Sequence, residues 1–351
     1  MSARYDVCKL MERGDALPTD VFPRAHKEGA EYVFWNPPER FTLGKKIAAG
    51  ASGTIYRGTF AARAIAIKIN DSRRVPLQTD ADEVWMQTKL FCHMRDLAKP
   101  PPHARIAHVP TTYFSARVPG MGRALGMGRV DRSLLAHVTA LATPRAQIAA
   151  LRDALARIAA LLEVLQVDLA FMHGDLHAEN VMVRDAPHDV FLIDFGMSSL
   201  ASPSIPGART RSVGGRIITD DRYEGARFHA QLDLLTLLTA LREDLALAKC
   251  EVAARWCGAF VQPYWDVVRA GLLSGKVRPK LRYGAQRTVR TAREEIEESG
   301  EIYYAHHLLY ERLGDIVYPP TAPRALLRAL AAAPRTAPRD ADWQARIFED
   351  V

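Results

Sequence analysis

The chain has 351 residues, 48% hydrophobic and 25% charged, enough apolar material for a full core and for one bilobal domain with extensions. Its net charge of +7 comes from arginines scattered along the whole length without a groove-reading motif, so no nucleic-acid partner is expected. The four cysteines, Cys8, Cys92, Cys250 and Cys257, have neither C-x-x-C nor zinc spacing, so neither a metal knuckle nor a disulfide frame is expected.

Residues 1–40 read as a leader that breaks at Asn36-Pro37-Pro38. Its start carries Arg4, Asp6 and Lys9 with no apolar run, which predicts no signal peptide. The run Ile47-Ala48-Ala49-Gly50-Ala51-Ser52-Gly53-Thr54-Ile55 then sets two glycines between strand-like stretches. Without side chains there, the backbone can approach a ligand closely. Ala64-Ile65-Ala66-Ile67-Lys68-Ile69 is apolar on both faces, so Lys68 needs a buried partner. Thr79-Asp80-Ala81-Asp82 has the form of a helix start, with Thr79 as N-cap and acids in the first turn. Glu83 lies on that helix, and Leu90, Met94 and Leu97 follow at helical spacing. Lys99-Pro100-Pro101-Pro102-His103 closes it, and short strands are expected at Ile106–Val109 and Tyr113–Val118.

A Gly-containing segment, Ala124–Leu134, leads to a long amphipathic helix over Pro144–Leu169, with Ile148, Leu151, Leu155, Ile158, Leu162 and Leu165 on its apolar face. Five charged residues, among them Arg152, Arg157 and Glu163, exclude the stretch 146–171 as a membrane span. A soluble protein is therefore expected, intracellular and cytoplasmic or nuclear. Next comes His173-Gly174-Asp175-Leu176-His177-Ala178-Glu179-Asn180, followed by two apolar runs around the turn at Asp185–Asp189 and by Ile193-Asp194-Phe195-Gly196. The runs predict a hairpin that carries both acidic segments to one cleft. Residues 197–228 are rich in Ser, Arg, Gly and Thr. In the apolar run Gln231–Leu238, the charge of Asp233 requires a partner. Helical patterns and loops alternate from Glu251 to about Leu313, with Cys250 and Cys257 on one pattern as buried thiols. An Ala/Pro/Arg-rich tail carries one short helix, Ala325–Ala332.

Two carboxylates and an amide delivered to one cleft suit phosphoryl transfer, which needs a group to orient the attacking hydroxyl and oxygens to hold a cation against phosphates. H-x-D-L-x-x-x-N and D-F-G in this order resemble the catalytic segments of the protein-kinase superfamily. The resemblance extends over residues 41–240. It is closest to divergent serine/threonine protein kinases with H-G-D-L-H loops, similar to compact kinases of large DNA viruses.

The resemblance implies an α+β bilobal fold. A small antiparallel five-stranded lobe with one main helix (about 41–128) would join a larger, mainly helical lobe (about 129–315), with residues 316–351 as a tail. It implies ATP with Mg²⁺ or Mn²⁺ as cofactors and a protein Ser/Thr hydroxyl as the acceptor. Asp175 would be the base, Lys68 would hold the phosphates and Glu83 would pair with Lys68. Asn180 and Asp194 would ligate the metal. Ile47, Gly50, Gly53, Ile55, Ala66, Lys68, Met127 and Val130 would line the nucleotide site, with Met127 as gatekeeper. His173 and Asp233 would support the catalytic loop.

Four departures qualify this pattern. Ala48 stands where the first loop glycine is expected, and no A-P-E follows the D-F-G. Gly174 replaces an arginine that normally receives an activating phosphate, so constitutive competence is expected. His177 replaces a lysine that steadies the γ-phosphate, and H-G-D-L-H is also the form seen in aminoglycoside and related small-molecule phosphotransferases. Those enzymes usually insert extra helices around the substrate cleft, and the short connection from Gly128 to the long helix speaks against that. A small-molecule phosphotransferase and a nucleotide-binding pseudokinase scaffold therefore stand as alternatives to a protein kinase.

Overall fold

The computed structural model describes residues 6–11, 23–35, 38–49, 53–71, 77–97, 106–185, 189–201, 209–213, 216–220, 230–262 and 323–332. One antiparallel sheet forms the first lobe: β1 (His26–Glu28), β2 (Glu31–Phe34), β3 (Glu39–Ala49), β4 (Gly53–Phe60), β5 (Arg63–Asp71), β6 (Thr112–Val118) and β7 (Gly122–Met127). The strand order is β1-β2-β3-β4-β5-β7-β6, seven strands where the sequence reading expected five. The two additional strands come from the leader. Gly29, at φ +60°, supplies the left-handed turn that lets Glu28 pair with Glu31. Phe34 then enters a cluster in which Phe114 lies 5.1 Å from Phe34, 4.6 Å from Phe41 and 5.0 Å from Phe60, centroid to centroid. Burying four rings offsets the ordering of the leader chain.

Helix α1 (Val7–Met11) and helix α2 (Leu77–Asp96) pack on this lobe. The latter begins two residues before the expected cap, so Thr79 is its third residue. Pro76 precedes it, and Leu77 and Gln78 are good helix formers, so the helix extends back to the proline. The structure also corrects the cysteine reading, because Cys8 and Cys92 form a disulfide that joins α1 to α2. Their sequence separation of 84 matches no recognisable spacing, and only the fold reveals the pair. Cys257 is a buried free thiol, whereas Cys250 is only half-buried, at the start of a helix.

The second lobe is mainly helical. It comprises β8 (Arg132–Ser133), α3 (Leu134–Thr139), α4 (Pro144–Leu169), β9 (Val181–Val183), β10 (Val190–Leu192), β11 (Ser199–Ala201), β12 (Arg209–Val213), β13 (Arg216–Asp220), α5 (Leu232–Leu247), α6 (Glu251–Gly258) and α7 (Pro323–Ala332). Helix α4 has the expected bounds for clear local reasons. The Thr143 hydroxyl accepts the Ala146 N–H at 3.2 Å, Pro144 occupies the first turn, and Ala170 closes the helix with φ 45°. Its apolar face meets α3, α6 and α7 in one continuous core. Instead of a strand, Ile106–Val109 makes one bridge: the His108 N–H donates to the Val190 carbonyl at 2.7 Å and the His108 carbonyl accepts from Leu192 at 2.9 Å. The tail helix begins at Pro323, a residue suited to a first helical position, and Arg324 clamps it to Glu163 of α4 at 2.8 Å.

This is the α+β bilobal kinase-like arrangement. Among the described residues no helix is long and apolar enough to cross a membrane.

Candidate active site

The upper wall of the cleft starts on β5. Side chains alternate along a strand, so Lys68 and Asn70 share a face. The Lys68 ammonium lies 2.5 Å from a carboxylate oxygen of Glu83 on α2 and 3.7 Å from Asp194 Oδ1. Asn70 Nδ2 donates to the other Glu83 oxygen at 3.5 Å. Sequence reasoning passed over Asn70, although its spacing from Lys68 carried the signal. Lys68 and Glu83 are both largely buried, so each satisfies the other where water cannot.

Ala66, Val84, Leu125 and Met127 form a small apolar cluster with Ile55 packed against it. This is an apolar wall of the kind that accepts an aromatic base. Met127 pairs with Ala66 across the sheet, and Val130 follows in the link between the lobes. The ends of that link are tied down: the Gly128 N–H donates to the Thr111 carbonyl at 2.8 Å and the Asp131 N–H to the Val183 carbonyl at 3.2 Å. Ile47 is half-exposed at the tip of β3. Gly50 lies outside the described residues. At Gly53 a side chain would strike the Ile69 carbonyl and Asn70 Oδ1, each 2.5 Å from an added Cβ. That glycine is therefore required by the approach of β4 to β5, a reason distinct from phosphate access. Ala48 pairs with Ile55 and has no left-handed backbone, so alanine causes no strain there.

The lower wall is the segment from His173 to Asn180. Asp233, on α5 and 1% exposed, accepts the His173 N–H at 2.8 Å and the Gly174 N–H at 2.9 Å. Gly174 has φ +78°, a conformation in which an arginine would be strained, so the backbone itself favours glycine over the usual residue. The His173 ring is fully buried, and Nε2 donates to the Ile193 carbonyl at 3.0 Å. Burial holds its pKa below the ordinary histidine value, against the opposing pull of Asp233 and Asp175.

Asn180 Nδ2 donates to the Asp175 carbonyl at 2.9 Å and lies 3.1 Å from His177 Nε2. That leaves the amide oxygen as the atom suited to a cation. The Asn180 carbonyl accepts the Ile193 N–H at 3.0 Å, which ties the loop to the residue before Asp194. The hairpin of β9 and β10, with Met182 opposite Phe191, sets that separation. Asp194 has φ 63°, and its carboxylate is 43% exposed toward the cleft mouth. His177 Nε2 is 3.8 Å from Asp175 Oδ2. Beneath the loop, burial first and the charge of Glu179 second push the Asp244 carboxyl above its usual value.

Glu83, Lys68 and Asp194 are thus linked by ion pairs, and Asn180, Asp175 and His177 lie in close contact, the two sets joined by the Ile193 N–H on the Asn180 carbonyl. Two oxygen donors, the Asn180 amide and the Asp194 carboxylate, fit a hard cation that completes its shell with water and phosphate oxygens. Thr210, Ser212 and Thr219 fall on β12 and β13 of the segment after Asp194. A cavity of about 980 Å³ lies elsewhere, behind α2, among Phe91, Met94, Val164 and Leu327, and contains none of these groups.

Comparison with known proteins supports the same chemistry. Residues 104–243 match the model of the Phosphotransferase enzyme family, a span that includes Met127, Asp175, Asn180, Asp194 and Asp233 and stops short of Lys68 and Glu83. The match supports a kinase-like superfamily relationship and a kinase-fold phosphotransferase. No curated protein matches the chain.

Proposed function

We propose that this chain is an ATP-dependent phosphotransferase that delivers the γ-phosphoryl group to a serine or threonine hydroxyl of a protein. The observation that carries the reading is the ion-pair chain from Glu83 through Lys68 to Asp194, with Ile193 tied to Asn180 and Asn180 to Asp175, which supports one cleft holding phosphate-binding charge and a carboxylate.

In this reading the adenine lies against Ile55, Ala66 and Met127, and Val130 offers backbone groups to its edge. Lys68, held by Glu83, neutralises phosphate oxygens. Asn180 Oδ1 and Asp194 would hold a Mg²⁺ ion, which would supply charge stabilisation as negative charge spreads over the transferred group. Asp175 accepts the proton of the acceptor hydroxyl. Its orientation is inherited from the loop, since Asn180 holds its carbonyl and Asp233 holds the two residues before it. His177 sits where the charge-steadying lysine is expected.

The connection between the lobes and the catalytic loop supports the protein acceptor. Between the link at Gly128 and His173 the chain contributes only β8, α3 and α4, with no inserted helices to wall off a small substrate. A second reading, a small-molecule acceptor, is favoured by the Phosphotransferase enzyme family match and by His177. Radiolabelled ATP offered with a generic protein or with an aminoglycoside separates them. Label on the protein supports the first reading, and label on the aminoglycoside replaces it with the second.

A further inference from the structure

The disulfide lies on the element that carries Glu83. Cys92 is nine residues beyond Glu83 on α2, about 13 Å along the helix and half a turn around it. The helix is therefore gripped from two sides: Glu83 faces the Lys68 ammonium, and Cys92 is bonded to Cys8 of α1. Helix α1 has only five residues, so little of its own structure holds it in place. Besides the disulfide, the buried Val7 side chain anchors it, and so does Asp6. The Asp6 carboxylate accepts the Cys8 N–H at 3.0 Å and a guanidinium N–H of Arg95, also on α2, at 3.1 Å. Further along, the Ala25 N–H donates to the Arg117 carbonyl of β6 at 2.8 Å. The other two cysteines are free, and burial pushes the Cys257 thiol far above its ordinary value, which makes it a poor nucleophile.

We propose that the Cys8–Cys92 disulfide is a redox switch on phosphoryl transfer, one that holds α2 in the Glu83–Lys68 arrangement when oxidised and releases it when reduced. The inference rests on the phosphotransferase reading for its effect on rate, but not for its effect on α2. The chemistry is thiol–disulfide exchange with a dithiol reductant. A reductant thiolate attacks one sulfur of the pair, the S–S bond breaks, and a mixed disulfide forms. The second reductant thiol then displaces it. Two electrons and two protons pass to the protein, leaving two cysteine thiols and an oxidised, disulfide-bonded reductant. In a compartment poised by glutathione such a link is open to reduction, so the state of the disulfide reports the redox state around the protein. Local lifting of the short α1 is what exposes the sulfurs to attack.

The test uses the full chain, oxidised, reduced with dithiothreitol, and reoxidised. Alkylation of the unfolded chain should label two of the four cysteines in the oxidised form and all four in the reduced form. Amide hydrogen exchange through residues 83–94 should speed up on reduction and return on reoxidation. The transfer rate should fall about tenfold in parallel. The Cys8→Ser and Cys92→Ser variants should match the reduced protein in both assays and ignore the reductant. Unchanged exchange on α2, an unchanged rate in an active enzyme, or four labelled cysteines before reduction would each overturn the switch. If exchange responds but neither state transfers phosphate, the phosphotransferase reading falls while the coupling of disulfide to α2 stands. Because the oxidised and reduced wild type are compared directly, a variant that fails to fold does not decide the outcome.

Discussion

The two walls of the cleft are held by opposite means. Below, the catalytic loop is fixed from within: Asp233 is 1% exposed and grips two successive backbone N–H groups, while the His173 ring is locked between the Ile193 carbonyl and the core. Above, the position of Glu83 depends on its ion pair with Lys68, on Asn70, on the core packing of Met86 and Leu90, and on outer braces of α2, namely α1 through the disulfide and Asp168 of α4 through His93 at 3.0 Å. Backbone donors gripped by one buried carboxylate are held in one geometry. An element braced at its outer surface can shift as a body. The difference suggests a lower wall that is rigid chemistry and an upper wall that is adjustable, and each experiment below loosens one wall and leaves the other.

The largest effect is expected at Asp175. Asp175→Asn preserves shape but removes the proposed base, so the transfer rate should drop by about 10³-fold while nucleotide affinity holds. Single-turnover rates beside equilibrium nucleotide titration check both halves. If Asp175→Asn also abolished nucleotide binding, the lower wall would be doing more than orienting the acceptor.

Removing the lower wall's anchor comes next. Asp233→Ala strands two buried donors, each costing about 1–3 kcal/mol, so denaturant unfolding should show a loss of several kcal/mol together with slower transfer. On the upper wall, Glu83→Gln takes from the buried Lys68 charge its carboxylate partner on α2, at about 3 kcal/mol. The contrast lies in the location of the damage. Hydrogen exchange should rise around His173–Asn180 in the first variant and along α2 in the second. Spread of either effect to both walls would contradict their independence.

A smaller effect concerns pH. His173 has its folded pKa below the unfolded value, so the unfolded chain binds more protons in the window between them. The corresponding stability is fully present above about pH 6.5 and is lost as pH falls toward the folded pKa. Melting temperature should therefore decline below that pH, and less so in a His173→Asn variant if it folds. The smallest effect is expected from Thr210, Ser212 and Thr219 changed together to alanine. Gly174 offers no cationic receptor for a phosphate, so initial rates should stay near those of the unaltered chain.

How much was legible in the sequence follows the same division. The lower wall could be read because its signals are local: H-G-D-L-H-A-E-N, the hairpin and the D-F-G lie within one short stretch, and Asp233 stood out as a charge in an apolar run. Helix α4 declared itself through Thr143, Pro144 and its leucine periodicity. The upper wall was legible only where pattern and burial coincided, as with Lys68 in an isoleucine run. The strands β1 and β2 were missed because Phe34 finds its partners in residues far along the chain. The disulfide was missed because a pair 84 residues apart leaves no local trace. The positive φ of Gly174 was also invisible, although glycine in place of arginine was itself the hint.

The most direct test of the central claim, that these two walls enclose a phosphoryl-transfer site, is Mg²⁺-dependent transfer from γ-labelled ATP by the unaltered chain and by Asp194→Ala. Asp194 is partly exposed and contributes little to packing, so the variant should fold with an unchanged melting temperature. The account predicts label on the protein acceptor with the unaltered chain and none with the folded variant. Equal transfer by both, with or without the metal, would contradict it.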